Sequence, residues 1–273
     1  MTAAGQPRMW FLTGTSRGFA RHWAEAALAR GDRVAATARD VADLVERYPD
    51  TALALPVDVT DRAAVFAAVK QAHDHFGRLD VVVSNAGYGL FGAIEEVTED
   101  QARQQIDTNV FGCLSVLQAA LPIMRQQGSG HILITSSFGG LMNFPTGGLY
   151  GATKFALEGL GEALAAETKD LGIKVTLIEP SYFGTDFNTS SRKEGQNTID
   201  AYKAVHQQTE EAFKKMSPGD PAHTAPVVLE LVDMKEPPLR IILGKGALPM
   251  VKQTYQKKLA EWDQWSALGE SAQ

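Results

Sequence analysis

Short apolar runs rich in Val, Ile and Leu alternate along the chain with longer stretches of helical spacing. Such alternation indicates repeated βαβ units around a parallel sheet. The predicted strands lie near Met9–Thr13, Arg33–Ala38, Ala52–Pro56, Asp80–Ser84, His131–Ser136, Lys174–Glu179 and Leu239–Leu243. The predicted helices lie at about Arg17–Arg30, Val41–Tyr48, Asp61–Phe76, Glu99–Gln127, Leu149–Leu171 and Asp220–Met234. The pattern favours an α/β fold in which a doubly wound, seven-stranded parallel sheet carries helices on both faces.

One domain is expected over residues 1–273, because no linker rich in Pro, Gly or Ser divides the chain and no internal repeat is visible. The exception to the pattern is 185–217, a polar stretch with little apolar periodicity after the sixth predicted strand. The ligand crevice of an open α/β sheet lies beyond the carboxyl ends of its strands. We predict that 185–217 is a mobile lid over a substrate; the alternative is a solvated surface excursion without a role.

Charge and cysteine content exclude several classes of protein. The formal net charge of −6, with no basic run longer than two residues, argues against a nucleic-acid partner. Cys113 is the single cysteine, which excludes an internal disulfide and a multi-cysteine metal site. His73 and His75 lack companion ligands, so we expect no metal. We see no signal peptide and no apolar stretch of about eighteen residues, and we expect a cytoplasmic protein without a membrane partner.

A turn of small residues joins the first predicted strand to the first predicted helix. It contains Gly14, Thr15, Ser16, Arg17, Gly18 and Phe19. Small residues let the backbone approach a pyrophosphate, and the free N–H groups at the start of a helix attract it. Glycine also serves ordinary turns, but a strand before and a helix after favour a nucleotide cradle in a Rossmann-type domain.

The end of the second predicted strand bears on the choice of cofactor. NAD enzymes tend to place an acidic residue there, on the ribose 2′-hydroxyl, whereas this chain has Ala38 and Arg39. Arg17 lies in the cradle, so two guanidinium groups could converge on a ribose 2′-phosphate. We therefore expect NADP(H) as cofactor; the alternative is that Arg39 only solvates a strand end beside Asp40.

Three polar residues predict proton transfer in the crevice. Tyr150 and Lys154 are four residues apart in a helical stretch, so they share one helix face. Ser137 follows the fifth predicted strand at its carboxyl end. A nearby ammonium lowers the pKa of a phenol, which would make Tyr150 a usable proton donor.

These motifs resemble those of the short-chain dehydrogenase/reductase family, and the resemblance extends to about Leu243. The cradle is similar to the family's T-G-x-x-x-G-x-G, the triplet Asn85-Ala86-Gly87 to its N-A-G, and the stretch Tyr150–Lys154 to its Y-x-x-x-K. Asn109 matches the asparagine of the family's catalytic tetrad. Ser137, rather than Ser136, lies at the family's usual interval before the tyrosine.

The resemblance implies a role for each of these residues. Tyr150 would protonate the carbonyl oxygen of a substrate, and Ser137 would polarise and orient it. Lys154 would hold the nicotinamide ribose and lower the pKa of the tyrosine, while Asn109 would support a proton-relay water. Asp58 would bind the adenine ring and Thr185 the nicotinamide carboxamide. The full set of further implied cofactor contacts is Asp58, Val59, Asn85, Ala86, Gly87, Pro180, Phe183 and Thr185.

Two positions depart from the family pattern. Ala20 replaces the third glycine of the cradle, and it is small enough to keep the helix close to the sheet. Ser181 replaces the glycine of a P-G-x-x-x-T motif, while Thr185 keeps its place. Cofactor binding should survive the change at Ala20, whereas Ser181 makes the turn before Thr185 bulkier than in the family.

A lipophilic substrate is predicted from the residues around the crevice. The stretches 137–142 and 154–160 resemble the hydroxysteroid and retinol dehydrogenase branch of the family, and also many bacterial reductases. The predicted pocket residues are Leu90, Phe91, Leu141, Met142, Phe144, Leu149, Tyr182 and Phe187. The alternative is that these side chains belong to the core.

The hypothesis is an NADP-dependent oxidoreductase that transfers a hydride between nicotinamide and a ketone or secondary alcohol. One alternative is a nucleotide-binding sensor without catalysis, against which the complete proton-transfer set argues. The other is a 3-oxoacyl-thioester reductase, against which the lack of an obvious basic surface argues. Apolar residues on the helices at 99–127 and 149–171 predict a homodimer or homotetramer, namely Phe111, Leu114, Phe155, Leu160 and Leu164.

Overall fold

A seven-stranded parallel sheet runs through the centre of the protein, and the computed structural model describes residues 7–48, 52–188 and 190–272. The strands are β1 (Met9–Thr13), β2 (Arg33–Ala38), β3 (Ala52–Pro56), β4 (Val81–Ser84), β5 (Gly89–Phe91), β6 (Gly130–Thr135), β7 (Ile173–Pro180), β8 (Arg192–Glu194) and β9 (Arg240–Leu243). The central sheet has the order β3-β2-β1-β4-β6-β7-β9, and β5 pairs with β8 in a separate ribbon. The doubly wound sheet predicted from the sequence is confirmed.

Helices cover both faces of the sheet. They are α1 (Gly18–Ala29), α2 (Ala42–Arg47), α3 (Arg62–Phe76), α4 (Glu99–Ile106), α5 (Gly112–Gln127), α6 (Gly148–Thr168), α7 (Lys203–Lys214), α8 (Thr224–Asp233) and α9 (Ala247–Glu270). The sequence pattern did not predict α7, α9 or the β5–β8 ribbon. Three of these four elements either lie in 185–217 or follow the last strand, where little apolar periodicity marks them.

Each face of the sheet buries its own apolar layer. On one face α1 and α8 pack on the strands, and Trp10, Trp23 and Val228 are fully buried there. On the other face α3, α5 and α6 pack on the strands, with Val65 and Val116 fully buried. Burial from both sides explains why the strands are near-continuous apolar runs in the sequence.

The stretch predicted as one helix over Glu99–Gln127 is two helices joined by a π-helical turn, Asp107–Phe111. The Thr98 side chain caps α4 by accepting the N–H of Gln101 at 3.2 Å. By length and mean hydropathy (1.3) this stretch could cross a membrane, but its apolar face packs against α3 and the sheet. Single π turns inside helices are frequent at functional sites, and Asn109 lies in this one.

Hydrogen bonds join the carboxyl ends of β1, β2 and β4 beside the point where the strand order of the sheet reverses. The N–H groups of Gly14 and Thr15 both donate to the Thr37 carbonyl oxygen at 3.0 Å, which ties β1 to β2. The N–H groups of Asn85 and Ala86 donate to Thr13 Oγ1 at 2.9 and 3.0 Å, which ties the loop after β4 to β1. A crevice opens at this edge, where doubly wound sheets bind ligands.

Three carboxyl groups surround Arg240 on β9. Its Nε donates to Glu158 Oε2 at 2.9 Å and its Nη2 to Glu162 Oε2 at 2.5 Å, while Glu179 Oε1 lies 3.8 Å from the Nε. Glu179 is buried in β7. Burial and, to a smaller extent, the neighbouring Glu158 carboxylate raise the pKa of Glu179 to about 8.

This raised pKa predicts a pH dependence of stability. Folded protein binds the Glu179 proton up to about pH 8, whereas an unfolded chain releases it near pH 4.3. Between these values the folded state binds more protons, so the free energy of unfolding falls as pH rises, by up to about 1.4 kcal/mol per pH unit from this group. Urea denaturation at pH 5, 6, 7 and 8 should show a shallower fall in Glu179→Gln than in the wild type.

The matched control is Glu162→Gln, which removes an exposed carboxylate from the same arginine. It should keep the slope of the wild type. An identical slope in the wild type and Glu179→Gln would contradict the assignment.

Candidate active site

A cavity of about 520 Å³ lies at the carboxyl edge of the sheet. The cradle, the ends of β2, β3, β4, β6 and β7, the start of α6 and the segment 185–217 all contribute to its wall. The predicted residues that line it are Gly14, Ser16, Arg17, Gly18, Phe19, Arg39, Asp58, Val59, Asn85, Ala86, Gly87, Phe91, Ser137, Phe144, Tyr150, Lys154, Pro180, Tyr182, Phe183, Thr185 and Phe187. The cavity thus brings the predicted cofactor and proton-transfer residues together.

The cradle has the shape that a phosphate group requires. Gly14 has a φ of +74°, and a Cβ there would lie 3.2 Å from the Cα of Ala86, so only glycine fits. Arg17 precedes α1 in extended conformation, and none of the described side chains caps the helix start. The first N–H groups of α1 therefore remain available to an anion. The residues present fit a pyrophosphate at this turn.

Thr15 is the one cradle residue whose placement differs from the prediction. Its side chain is fully buried and its hydroxyl donates to the Thr37 carbonyl oxygen at 3.2 Å. It does not line the cavity as the structure describes it. The Thr15 hydroxyl therefore joins the cradle to β2 and does not face the cavity.

Tyr150, Lys154 and Ser137 converge at the inner end of the cavity. Lys154 Nζ lies 5.8 Å from the centroid of the Tyr150 ring and donates to the Thr135 carbonyl oxygen at 2.8 Å. Ser137 Oγ accepts the N–H of Gly139 at 3.0 Å and shares a hydrogen bond with Tyr150. All three side chains are buried, so the site holds them in fixed positions.

Burial decides the proton affinities of this group. It raises the pKa of Tyr150 to about 12, and the hydrogen bond with Ser137 offsets only part of the effect. Burial also lowers the pKa of Lys154 to about 8. Burial thus has the largest effect on the pKa of Tyr150, and the lowering of this pKa by Lys154 stays a prediction. A protonated phenol is the form that a proton donor needs.

Asn109 acts as a clamp behind the site. Its Nδ2 donates to the Tyr88 carbonyl oxygen at 2.9 Å and to Thr153 Oγ1 at 3.0 Å, and its Oδ1 accepts the Tyr88 N–H at 3.1 Å. Thr153 Oγ1 in turn donates to the Tyr150 carbonyl oxygen at 2.7 Å. Asn109 is not among the described residues that line the cavity. It positions the first turns of α6, and its proton-relay role stays a prediction.

Aromatic rings form the wall beside Tyr150. The ring centroids of Phe91 and Phe187 lie 5.6 and 5.2 Å from that of Tyr150. Phe144 stacks on Phe91 at 6.2 Å and meets Phe213 edge to face at 5.3 Å. Phe213 lies on α7, inside the polar stretch 185–217, and it was not among the predicted pocket residues. A flat or lipophilic group fits such a wall.

Four predicted pocket residues lie elsewhere. Leu90 is buried away from the cavity, because successive side chains of β5 point to opposite sides and Phe91 takes the cavity side. Leu141 and Met142 pack with Ala247 and Val251 at the base of α9. Leu149 is half-buried and does not line the described cavity. The core alternative is correct for Leu90 and for Leu141 and Met142.

The segment 185–217 is held against the body by polar contacts. Glu96 is buried and accepts His206 Nε2 at 2.6 Å and the Ile199 N–H at 3.1 Å. Burial raises the pKa of Glu96, but the hydrogen bonds from His206, Ile199 and Ala93 outweigh it and lower the pKa overall. Tyr202 donates to Glu95 Oε2 at 2.8 Å. We refer to the pair Glu96–His206 as the α7 latch.

Known proteins share these features. A family model described as short chain dehydrogenase matches residues 8–196, and the chain belongs to this family of oxidoreductases. Oxidoreductase BOA17 of Botryotinia fuckeliana (strain B05.10) is 37% identical over 268 residues, which cover 96% of this chain and 97% of that one.

Solved structures agree with this classification. A short-chain dehydrogenase from Streptomyces avermitilis has a TM-score of 0.91 and 37% identity, covering 99% of this chain and 100% of its own. An alcohol dehydrogenase from Thermococcus sibiricus complexed with 5-hydroxy-NADP has a TM-score of 0.74 and 26% identity, covering 87% of this chain and 96% of its own. Structural relatives thus include one that binds a nicotinamide nucleotide.

The α7 latch generates a testable prediction. Glu96→Gln removes the charge that holds His206, and a charge-assisted hydrogen bond contributes about 1.5–3 kcal/mol. The backbone amides of Lys203–Lys214 should therefore exchange with deuterium on the order of tenfold faster or more, as measured by hydrogen-exchange mass spectrometry. His206→Ala should give the same change.

Glu99→Gln is the control, because Glu99 is exposed and pairs with Arg103 on α4. It should leave exchange in α7 unchanged. Equal exchange in Glu96→Gln and the wild type would show that the latch does not hold α7.

Proposed function

We propose that the protein is an NADP-dependent dehydrogenase or reductase that acts on a lipophilic ketone or secondary alcohol. The observation that carries the proposal is the meeting of Ser137, Tyr150 and Lys154 with an aromatic wall at the inner end of a cavity that begins at a phosphate cradle. Such a cavity holds a long nucleotide on one side and an apolar substrate on the other.

The chain's own residues would supply the proton transfer. The reduced nicotinamide, when bound, supplies a hydride to the carbonyl carbon. Tyr150 donates its phenolic proton to the carbonyl oxygen, which becomes the hydroxyl of the alcohol. Ser137 donates a hydrogen bond to the same oxygen while charge develops there. Lys154, charged below about pH 8, stabilises the phenolate that Tyr150 leaves behind.

The proposal of NADP rests on the corner after β2. Ala38 and Arg39 line the cavity there. The Asp40 carboxylate accepts the N–H of Ala42 at 3.0 Å, at the start of α2, and does not line the described cavity. Hydrogen bonds from Thr60 and, less strongly, the Arg39 charge lower the pKa of Asp58, so Arg39 lies close to the adenosine side.

Arg17 supports NADP as the cofactor less strongly than its place in the sequence predicts. It lines the cavity, but its Nη1 donates to Ser190 Oγ at 2.7 Å, in the segment 185–217. Its guanidinium therefore contacts the segment, and Arg39 carries the cofactor argument alone.

One observation favours a second candidate, the reduction of a 3-oxoacyl thioester. Lys193 lines the cavity, with its Nζ 4.6 Å from the centroid of the Tyr88 ring, and Arg192 lines it beside Phe91. These cations could meet an anionic carrier, although Arg192 is paired with Glu194. Turnover of simple aromatic and steroid ketones without any thioester would favour the first candidate.

Oligomerisation through α5 and α6 also remains part of the proposal. Phe111 is 55% exposed and Phe155 38% exposed, which supports an apolar face on these helices. Leu164 was predicted for the same face, but it is buried against the sheet.

Tyr150→Phe tests the proton donor. The ring still packs between Phe91 and Phe187, so folding and NADPH binding should survive, while turnover falls by about a thousandfold or more. Substrates come from a panel of aliphatic, aromatic and steroid ketones, followed by the loss of NADPH absorbance. Tyr255→Phe makes the same chemical change on α9 and should keep turnover. Near wild-type turnover in Tyr150→Phe contradicts the assignment.

Arg39→Ala tests the cofactor. The charge-assisted contact should favour NADPH over NADH by at least about tenfold in kcat/KM, which needs about 1.4 kcal/mol. Arg39→Ala should remove most of this preference, mainly by weakening NADPH binding. Arg33→Ala, at the exposed opposite end of β2, is the matched control. Equal or better efficiency of the wild type with NADH would overturn the proposal.

A further inference from the structure

The last three turns of α9 are exposed along their whole length. Every residue from Leu259 to Ala272 is exposed, whereas Ala247 and Val251 at the start of α9 are buried. An isolated helical segment of this length is marginal in water, and tertiary packing normally stabilises it. The C-terminal half of α9 therefore extends from the body of the domain with its surface exposed.

Large apolar side chains follow one stripe of this helix. Tyr255, Leu259, Trp262 and Trp265 are spaced by four, three and three residues, which places them on one side of the helix. Their exposed fractions are 40, 52, 61 and 56%. A stripe with two half-exposed tryptophans is unusual on a free surface and marks a contact site.

The charges of α9 are divided between its two halves. Lys252, Lys257 and Lys258 lie in the first half, and the acidic residues Glu261, Asp263 and Glu270 lie in the second half. When two such helices pair antiparallel about a two-fold axis, the basic half of each faces the acidic half of the other. A parallel pair would place like charges together.

These observations identify a second copy of this chain as the occupant, and we propose that two copies associate through an antiparallel pair of α9 helices. The four stripe residues of both copies would bury roughly 1,000 Å² in total, the size at which specific interfaces begin. The stripe continues onto the body, because Lys258 Nζ lies 5.4 Å from the exposed ring of Phe155 on α6.

A membrane surface fits these charges less well. Helices that lie on membranes carry Lys and Arg on their polar face, whereas the half that holds both tryptophans carries acidic residues alone. The match to the solved chain from Streptomyces avermitilis covers 99% of this chain, so the match includes α9.

The first experiment measures mass in solution. Light scattering of the full chain should give at least twice the monomer mass of 29.5 kDa. Trp262→Ser/Trp265→Ser should halve the mass of the wild type, or raise the concentration of half-association at least tenfold. Because both side chains are more than half exposed, the variant should keep its thermal unfolding and the ketone reductase activity proposed above. Gln264→Ser is the matched control.

The second experiment tests the antiparallel arrangement. Lys252→Glu/Lys258→Glu makes both halves of α9 acidic beside the stripe, and Glu261→Lys/Asp263→Lys makes both halves basic there. Each variant alone should associate at least tenfold more weakly than the wild type, and an equimolar mixture should recover the association. A monomeric wild type, or unchanged mass in the tryptophan variant, overturns the proposal. Binding of monomers to vesicles of anionic and neutral phospholipid through the tryptophans would assign the stripe to membranes instead.

Discussion

A hydroxyl at the end of β1 holds the site together. Thr13 Oγ1 accepts the N–H groups of Asn85 and Ala86. This contact keeps the loop after β4 against the cradle, so closely that a Cβ on Gly14 would lie 3.2 Å from the Cα of Ala86. From that loop the hydrogen bonds continue through Tyr88, Asn109 and Thr153 to the backbone of Tyr150. The cradle and Tyr150, the proposed proton donor, are therefore positioned by one connected network.

The same burial that makes this network rigid changes the chemistry of its members. On a solvent-exposed helix, a lysine four residues from a tyrosine would favour the phenolate form of that tyrosine. Inside the protein, loss of water raises the pKa of Tyr150 to about 12 and lowers that of Lys154 to about 8, so the phenol keeps its proton while the ammonium loses its proton above about pH 8. Sequence spacing can place two groups on one helix face, but it carries no measure of how much water surrounds them.

Local patterns predicted the strands of the sheet and the position of the crevice, because each strand is buried on both faces and the motifs follow strand ends. The helices α7 and α9, which bury few of their residues, were not predicted. The segment 185–217 reads as polar because α7 contacts the body through Glu96, His206 and Phe213 rather than through a continuous apolar face. For the same reason α9 gave no signal, since most of its apolar stripe is exposed.

The substrate cavity and α9 share one apolar cluster. Phe138 and Phe144 line the cavity and belong to the same cluster as Leu141, Met142 and the α9 residues Ala247 and Val251. The start of α9 therefore packs in the same cluster as two residues of the cavity wall. The predicted pocket residues therefore fall into two groups. Phe144 lines the cavity, whereas Leu141 and Met142 pack against the start of α9.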